Sequence, residues 1–285
     1  MKLETIQKLK DYFEKREDIS MAFLFGSQAK GQVHKQSDTD IAVYFKVEDR
    51  QLEWEETKEY QNESEIWSAV EKIAETQSTD LVVLNRAPST LAYDVISTGI
   101  PLLIRDKSLY WRFLFLVSEA AEDFYQISQE WMDIRARSQS LSDKDKNTLL
   151  RLVDFAENEI DHLQDFVDVD QHTYERNRDI QLKLERWIER LAISLIDIAK
   201  LILSSEKKKA LQSSSVEMVK SLGWAMNVSE IEVNLMGKFA ELRNLLAHQY
   251  LDLRYAQIRS FLDNSEPIYH KVIVFAKEYI AKQKI

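Results

Sequence analysis

The chain has no cysteine. That excludes a disulfide framework, a thiol nucleophile and a cysteine-based zinc site, and it fits a reducing cytoplasm. Glycine and proline are also scarce, five and three in 285 residues. Sandwiches and barrels, with their many tight turns, use more of both. Long apolar runs are missing. The most apolar helix candidate, LAISLIDIAKLIL at 191–203, contains Asp197 and Lys200 and is too short to span a bilayer, so no membrane partner is expected. The first fifteen residues, MKLETIQKLKDYFEK, are charged and amphipathic and lack the apolar centre of a signal peptide. A cytoplasmic protein is expected. Positive charge is in deficit as well. The net charge of −10 disfavours broad, non-specific binding to nucleic acid.

What remains is abundant helix-forming sequence and an uneven charge. Residues 1–142 hold 17 Lys/Arg against 25 Asp/Glu, while residues 143–285 hold 21 against 23. The second part is therefore the better place for a local basic site. A chain of this length accommodates two domains.

Short apolar runs predict four strands, MAFLFG (21–26), DIAVYF (40–45), DLVVL (80–84) and IPLLIRD (100–106). Helical spacing covers 3–17, 50–77 and about 88–97, so the first hundred residues alternate helix and strand. After Ser108 only helices are predicted, at about 109–138, 145–168, 178–206, 213–221, 228–248, 254–262 and 266–282. The polar segment SLSDKDKN (140–147) offers Ser142 or Asp143 as an N-cap. The domain boundary is placed there, giving 1–142 and 143–285. The helix 109–138 can pack with either part. The fold class expected is α+β, a mixed sheet with helices, followed by an all-α helical bundle.

Residues 26–40 read GSQAKGQVHKQSDTD. Gly26 lets backbone approach a phosphate, and Ser27 adds a hydroxyl donor. Asp38 and Asp40 stand two apart at the start of a strand, which puts both carboxylates on one face. Like charges so placed repel unless a cation lies between them, and hard divalent cations take oxygen ligands of this kind. Asp80, opening the third strand, offers another carboxylate. A lone GS or a lone DxD is commonly a turn or a cap. Joined in the order GSxxxGxxxxxSDxD before an apolar strand, they resemble the minimal nucleotidyltransferase branch of the polymerase β superfamily. The resemblance implies ATP as substrate and two Mg²⁺ ions. It implies Gly26, Ser27 and Ser37 at the nucleotide, and Asp38, Asp40 and Asp80 as metal ligands, with Asp80 also a base for the incoming hydroxyl. Members of this branch modify one hydroxyl rather than extend a polymer.

Residues 243–250 read RNLLAHQY. On a helix Asn244 and His248 are i, i+4 neighbours, while Arg243 and His248 lie about 140° apart. An arginine can hold a phosphate and a histidine can shuttle a proton, so the pair could cleave RNA through its own 2′-hydroxyl. Asn244 would orient the base or the phosphate. Taken alone, the stretch reads as a solvated helix end. In its all-helical context, R-x4-H-x-Y resembles the signature of HEPN-domain ribonucleases, and residues 175–203 resemble the central helix of HepT-type toxins. That resemblance implies RNA as substrate and a homodimer, because such sites form across a two-fold interface.

The two resemblances together point to the MntA–HepT toxin–antitoxin system, here in one chain. There the nucleotidyltransferase silences the ribonuclease by moving AMP onto the tyrosine of the signature, which maps to Tyr250. Two other readings stand beside it. One is a nucleotidyltransferase acting on a small molecule, such as an aminoglycoside. The other is a non-catalytic nucleotide-binding regulatory module.

Overall fold

The computed structural model describes residues 3–29, 38–47, 52–54, 58–76, 78–137, 140–206, 211–248 and 255–282. The predicted site residues Ser37 and Tyr250 lie outside them, and so does His34. Compactness divides the chain into two units, residues 1–121 and 122–285.

The first unit is built on a four-stranded sheet. Its strands are β1 (Ile19–Phe25), β2 (Thr39–Phe45), β3 (Thr79–Val83) and β4 (Ile100–Ile104). They lie in the order β3-β2-β1-β4. β1 runs antiparallel to β2 and β4, and β2 runs parallel to β3. Every residue of β1 is buried, which is why it reads as an unbroken apolar run rather than an alternating one. Alternate side chains serve two cores. Met21, Phe23 and Phe25 join Tyr44, Val95, Phe113 and Val117 on one side, and Ala22 and Leu24 join Leu9, Phe13, Ile41, Ile66 and Val70 on the other. The covering helices are α1 (Leu3–Glu14), α3 (Glu63–Ala74), α4 (Ser89–Thr98) and the start of α5 (Lys107–Arg137). A one-turn helix, α2 (Gly26–Ala29), follows β1 directly.

The helix expected over 50–77 is shorter. Among the described residues it covers Glu63–Ala74 only. Leu52 and Trp54 are buried in chain outside any helix or strand instead, and the Trp54 indole N–H donates to the carbonyl of Ala87 at 3.1 Å. Two anchors spaced two apart do not share one face of a helix.

The second unit is helical. It holds the later turns of α5, then α6 (Asp143–Ile160), a 3-10 turn (Asp161–Asp165), α7 (Gln171–Arg176), α8 (Arg178–Ser205), α9 (Ser215–Ala225), α10 (Glu230–His248) and α11 (Tyr255–Lys282). Ser142 caps α6, its hydroxyl accepting from the Asp145 N–H, as the sequence suggests. α8 packs against α6, α9 and α10, and from Ile198 to Ser205 every residue is buried. Its apolar run is the mark of a central helix, not of a membrane span. No described helix is long and apolar enough to cross a membrane. Burial opposes the charge on Lys200, but Asp197 and Glu130 bond its ammonium and leave its pKa raised.

Two helices were expected over 254–282, and one is found. α11 runs through Pro267 without a break. Proline removes one backbone bond, yet Phe261, Leu262, Ile268, Tyr269 and Val272 are buried on both sides of it. Core packing outweighs the local preference. The sequence left α5 open to either part. Its Phe113, Leu116, Val117 and Ala120 are buried in a core of the first unit, and its Phe124, Trp131 and Ile134 are buried in the core of the second.

Candidate functional site

In the first unit, the parallel pairing of β2 and β3 sets Asp40 directly beside Asp80. Paired residues on parallel strands point to the same face. Asp38 precedes Asp40 by two, so it joins that face at the strand's entrance. Burial first, then the charges of Asp80 and Asp38, push the Asp40 carboxyl above its ordinary pKa. Asp80 and Asp38 thus both act on the charge of Asp40. Among the described residues no ready-made cluster of metal ligands stands assembled. On chemistry the residues fit a hard divalent cation. Every donor is a carboxylate oxygen, and Asp40 carries a repulsion that a cation would offset.

Gly26 belongs to this site for a reason the sequence only hints at. It follows β1 and opens α2, next to Phe25, which pairs with Asp40. Its φ is +68°, and a Cβ there would collide with the Asp40 carboxylate. Both the backbone turn and the close approach require glycine. Ser27 follows in α2, half-buried.

Sequence reasoning missed Ser78. Its hydroxyl donates to the Asp38 carboxylate, and the Thr39 N–H donates to its carbonyl at 3.0 Å. The signal was present. Ser78 stands two before Asp80 as Asp38 stands two before Asp40, so one register pairs them all.

In the second unit, Arg243, Asn244 and His248 share α10, which His248 closes. The His248 side chain lies outside the description. Arg243 is 19% exposed, and its Nη1 donates to the Asp123 carboxylate of α5. The same nitrogen reaches the Asn244 side-chain oxygen at 3.4 Å, and the Asn244 amide points on to the Ser215 hydroxyl at 3.5 Å. Asn244 is buried. Arg243 Nε is buried and has no hydrogen-bond partner among the described residues. The guanidinium lies in the wall of a cleft of about 510 Å³, whose other charged walls include Asp123, Glu130, Arg137, Asp145 and Lys200.

Strand-end carboxylates on a mixed sheet beside a glycine turn are the arrangement that the nucleotidyltransferase resemblance implies. A helical unit carrying arginine and histidine five residues apart on one helix accompanies it. Comparison with known families agrees for both parts. Residues 7–108 match the family described as Polymerase beta, Nucleotidyltransferase. Residues 156–274 match the family Ribonuclease HepT-like. Two regions of the chain thus match, in turn, a nucleotidyltransferase family and a HepT-like ribonuclease family. Among solved structures, it is similar to a toxin–antitoxin with AMP-PNP at 21% identity and a TM-score of 0.37, over 46% of this chain and 97% of that one. It is also similar to the tri-AMPylated Shewanella oneidensis HEPN toxin in complex with MNT antitoxin, at 19% identity and a TM-score of 0.34, over 45% of this chain and 96% of that one. No curated protein sequence matches.

Proposed function

We propose that the chain is a toxin and its antitoxin in one polypeptide. The nucleotidyltransferase region transfers AMP from ATP to the Tyr250 hydroxyl and silences a metal-independent ribonuclease centred on Arg243 and His248. The observation that supports this reading is the register that pairs Asp40 with Asp80, in a chain that also carries R-x4-H-x-Y from α10 onward.

In the transfer, the Tyr250 oxygen bonds to the α-phosphorus of ATP and the bond to the β-phosphate oxygen breaks. Pyrophosphate leaves, and Asp80 takes the phenolic proton. Asp38, Asp40 and Asp80 would hold Mg²⁺, two ions by the family resemblance. When bound, the cation neutralises charge on the phosphates and the leaving group. Gly26, Ser27 and Ser37 hold the nucleotide.

In the ribonuclease, the RNA 2′-oxygen attacks the adjacent phosphorus and the 5′-oxygen leaves. His248 moves the protons, and Arg243 stabilises charge on the phosphorus-bound oxygens. A homodimer supplies a second histidine, so that one acts as base and one as acid. AMP on Tyr250 places a negative phosphodiester two residues from His248. It blocks RNA by bulk and by repulsion.

The test is intact mass of the purified chain before and after ATP with Mg²⁺, followed by peptide mapping. We expect AMP addition at Tyr250. No addition, within a chain or between chains, overturns the reading.

A further inference from the structure

The contact between Asp123 and Arg243 joins α5 to α10 across 120 residues of sequence. We propose that Asp123 is a positioning residue of the ribonuclease centre: through Nη1 it fixes where the Arg243 guanidinium points. This inference rests on the ribonuclease reading of Arg243 and His248.

Three observations carry it. First, Arg243 is 19% exposed and Asp123 31%. A largely desolvated guanidinium needs a counter-charge, or it turns outward to water. Second, Asp123 and Asn244 both accept from Nη1, while Nε is buried and has no partner among the described residues. Arg137, in the wall of the same cleft, contrasts with this. It engages the two carboxylate oxygens of Asp145 with Nε and Nη2, at 3.2 and 2.6 Å. Such a fork matches the guanidinium to a carboxylate along one edge and ties a framework together. Arg243 instead is held by one nitrogen with a donor left unsatisfied, a cost that a purely structural arginine has no reason to carry. Third, Asn244 is buried against Ser215. The nitrogen that Asp123 grips is thus braced from α9 as well. Asp123 sets the direction of the guanidinium, and Asn244 limits its rotation.

The consequence is geometric. With Asp123 in place, Arg243 meets the scissile phosphate without a search among rotamers. Without it, the cation remains but its direction is lost. The loss falls on the chemical step, because charge develops at a fixed place on the phosphate oxygens.

The experiment uses the full chain, shown by intact mass to be free of AMP, cleaving a fluorogenic single-stranded RNA. Asp123→Ala is expected to lower kcat roughly ten- to hundredfold while KM stays within about threefold. Asp123→Asn keeps an acceptor oxygen and is expected to retain more of kcat than Asp123→Ala. Should Asp123→Ala fail to fold, Asp123→Ser repeats the test, since its side chain is too short to reach Nη1. A folded Asp123→Ala or Asp123→Ser with wild-type kcat overturns the inference. So does a rise in kcat, which would make Asp123 a mask over Arg243. If the unmodified wild-type chain cleaves no RNA, the ribonuclease reading falls and this inference falls with it. Cleavage that is indifferent to Asp123 removes the inference alone.

Discussion

Asp40 is the residue on which the first unit's chemistry turns. Burial and two like charges raise its pKa in the folded chain. A raised carboxyl pKa means that the native state holds the proton more tightly than the unfolded state. The contribution is favourable below the ordinary carboxylate pKa and is lost as pH rises through the folded value. At neutral pH without a cation, ionised Asp40 is therefore a destabilising charge. Asp40→Asn is expected to raise the melting temperature of the cation-free chain at pH 7 and to abolish AMP transfer. It is also expected to reduce the stabilisation that Mg²⁺ gives the wild type. Thermal melts with and without Mg²⁺ check this, and a lower melting temperature for the cation-free variant would contradict it. Much at this scale was legible. Strand periodicity pointed to Asp40 and Asp80, which the register of β2 and β3 pairs. The contact of Gly26 with Asp40 was not legible, because a positive φ depends on where β1 ends relative to β2. Nor was Asp123, since no local pattern links residues 120 apart. The burial of Asn244 beside Ser215 was not legible either, since it depends on how α9 packs against α10.

Among the elements, the strands were readable because each is a short apolar run between polar segments. The helices of the second unit were readable from their period. The misread elements, α3 and α11, share a cause, which is that distant packing overrode local preference. In α11, Pro267 is solvent-exposed while its neighbours Ile268 and Tyr269 are buried. The helix keeps its missing backbone bond because the core on either side holds it in line. Pro267→Ala restores the bond without disturbing the packed face. We expect it to stabilise the chain by about 1–3 kcal/mol, the helix cost of proline less the freedom regained by the unfolded chain. Urea unfolding gives the number. A loss of stability would mean that α11 needs the irregularity proline introduces.

For the whole molecule, the two activities proposed have opposite effects on a cell. Tyr250→Phe keeps the ribonuclease residues and removes the acceptor oxygen. Its expression is expected to arrest growth, while expression of the wild type is tolerated. Adding His248→Ala to Tyr250→Phe should restore growth. Growth counts after induction decide it, and a harmless Tyr250→Phe variant would sever the link between the two halves. The fusion itself was legible because each half carries its own motif. The way the halves are joined was not.

That junction lies inside α5, a single helix of 31 residues that gives buried side chains to cores of both units. An insertion in that helix shifts the side chains beyond it by about 100° each, so it would put Phe124, Trp131 and Ile134 or Phe113, Leu116 and Val117 out of phase within α5. Inheritance is constrained in the same way. A duplication, a loss or a change of promoter acts on both halves at once, so their copy ratio stays at one. On the proposed reading, release of the ribonuclease would come from failed or reversed modification of the tyrosine, or from proteolysis, rather than from a shift in dosage.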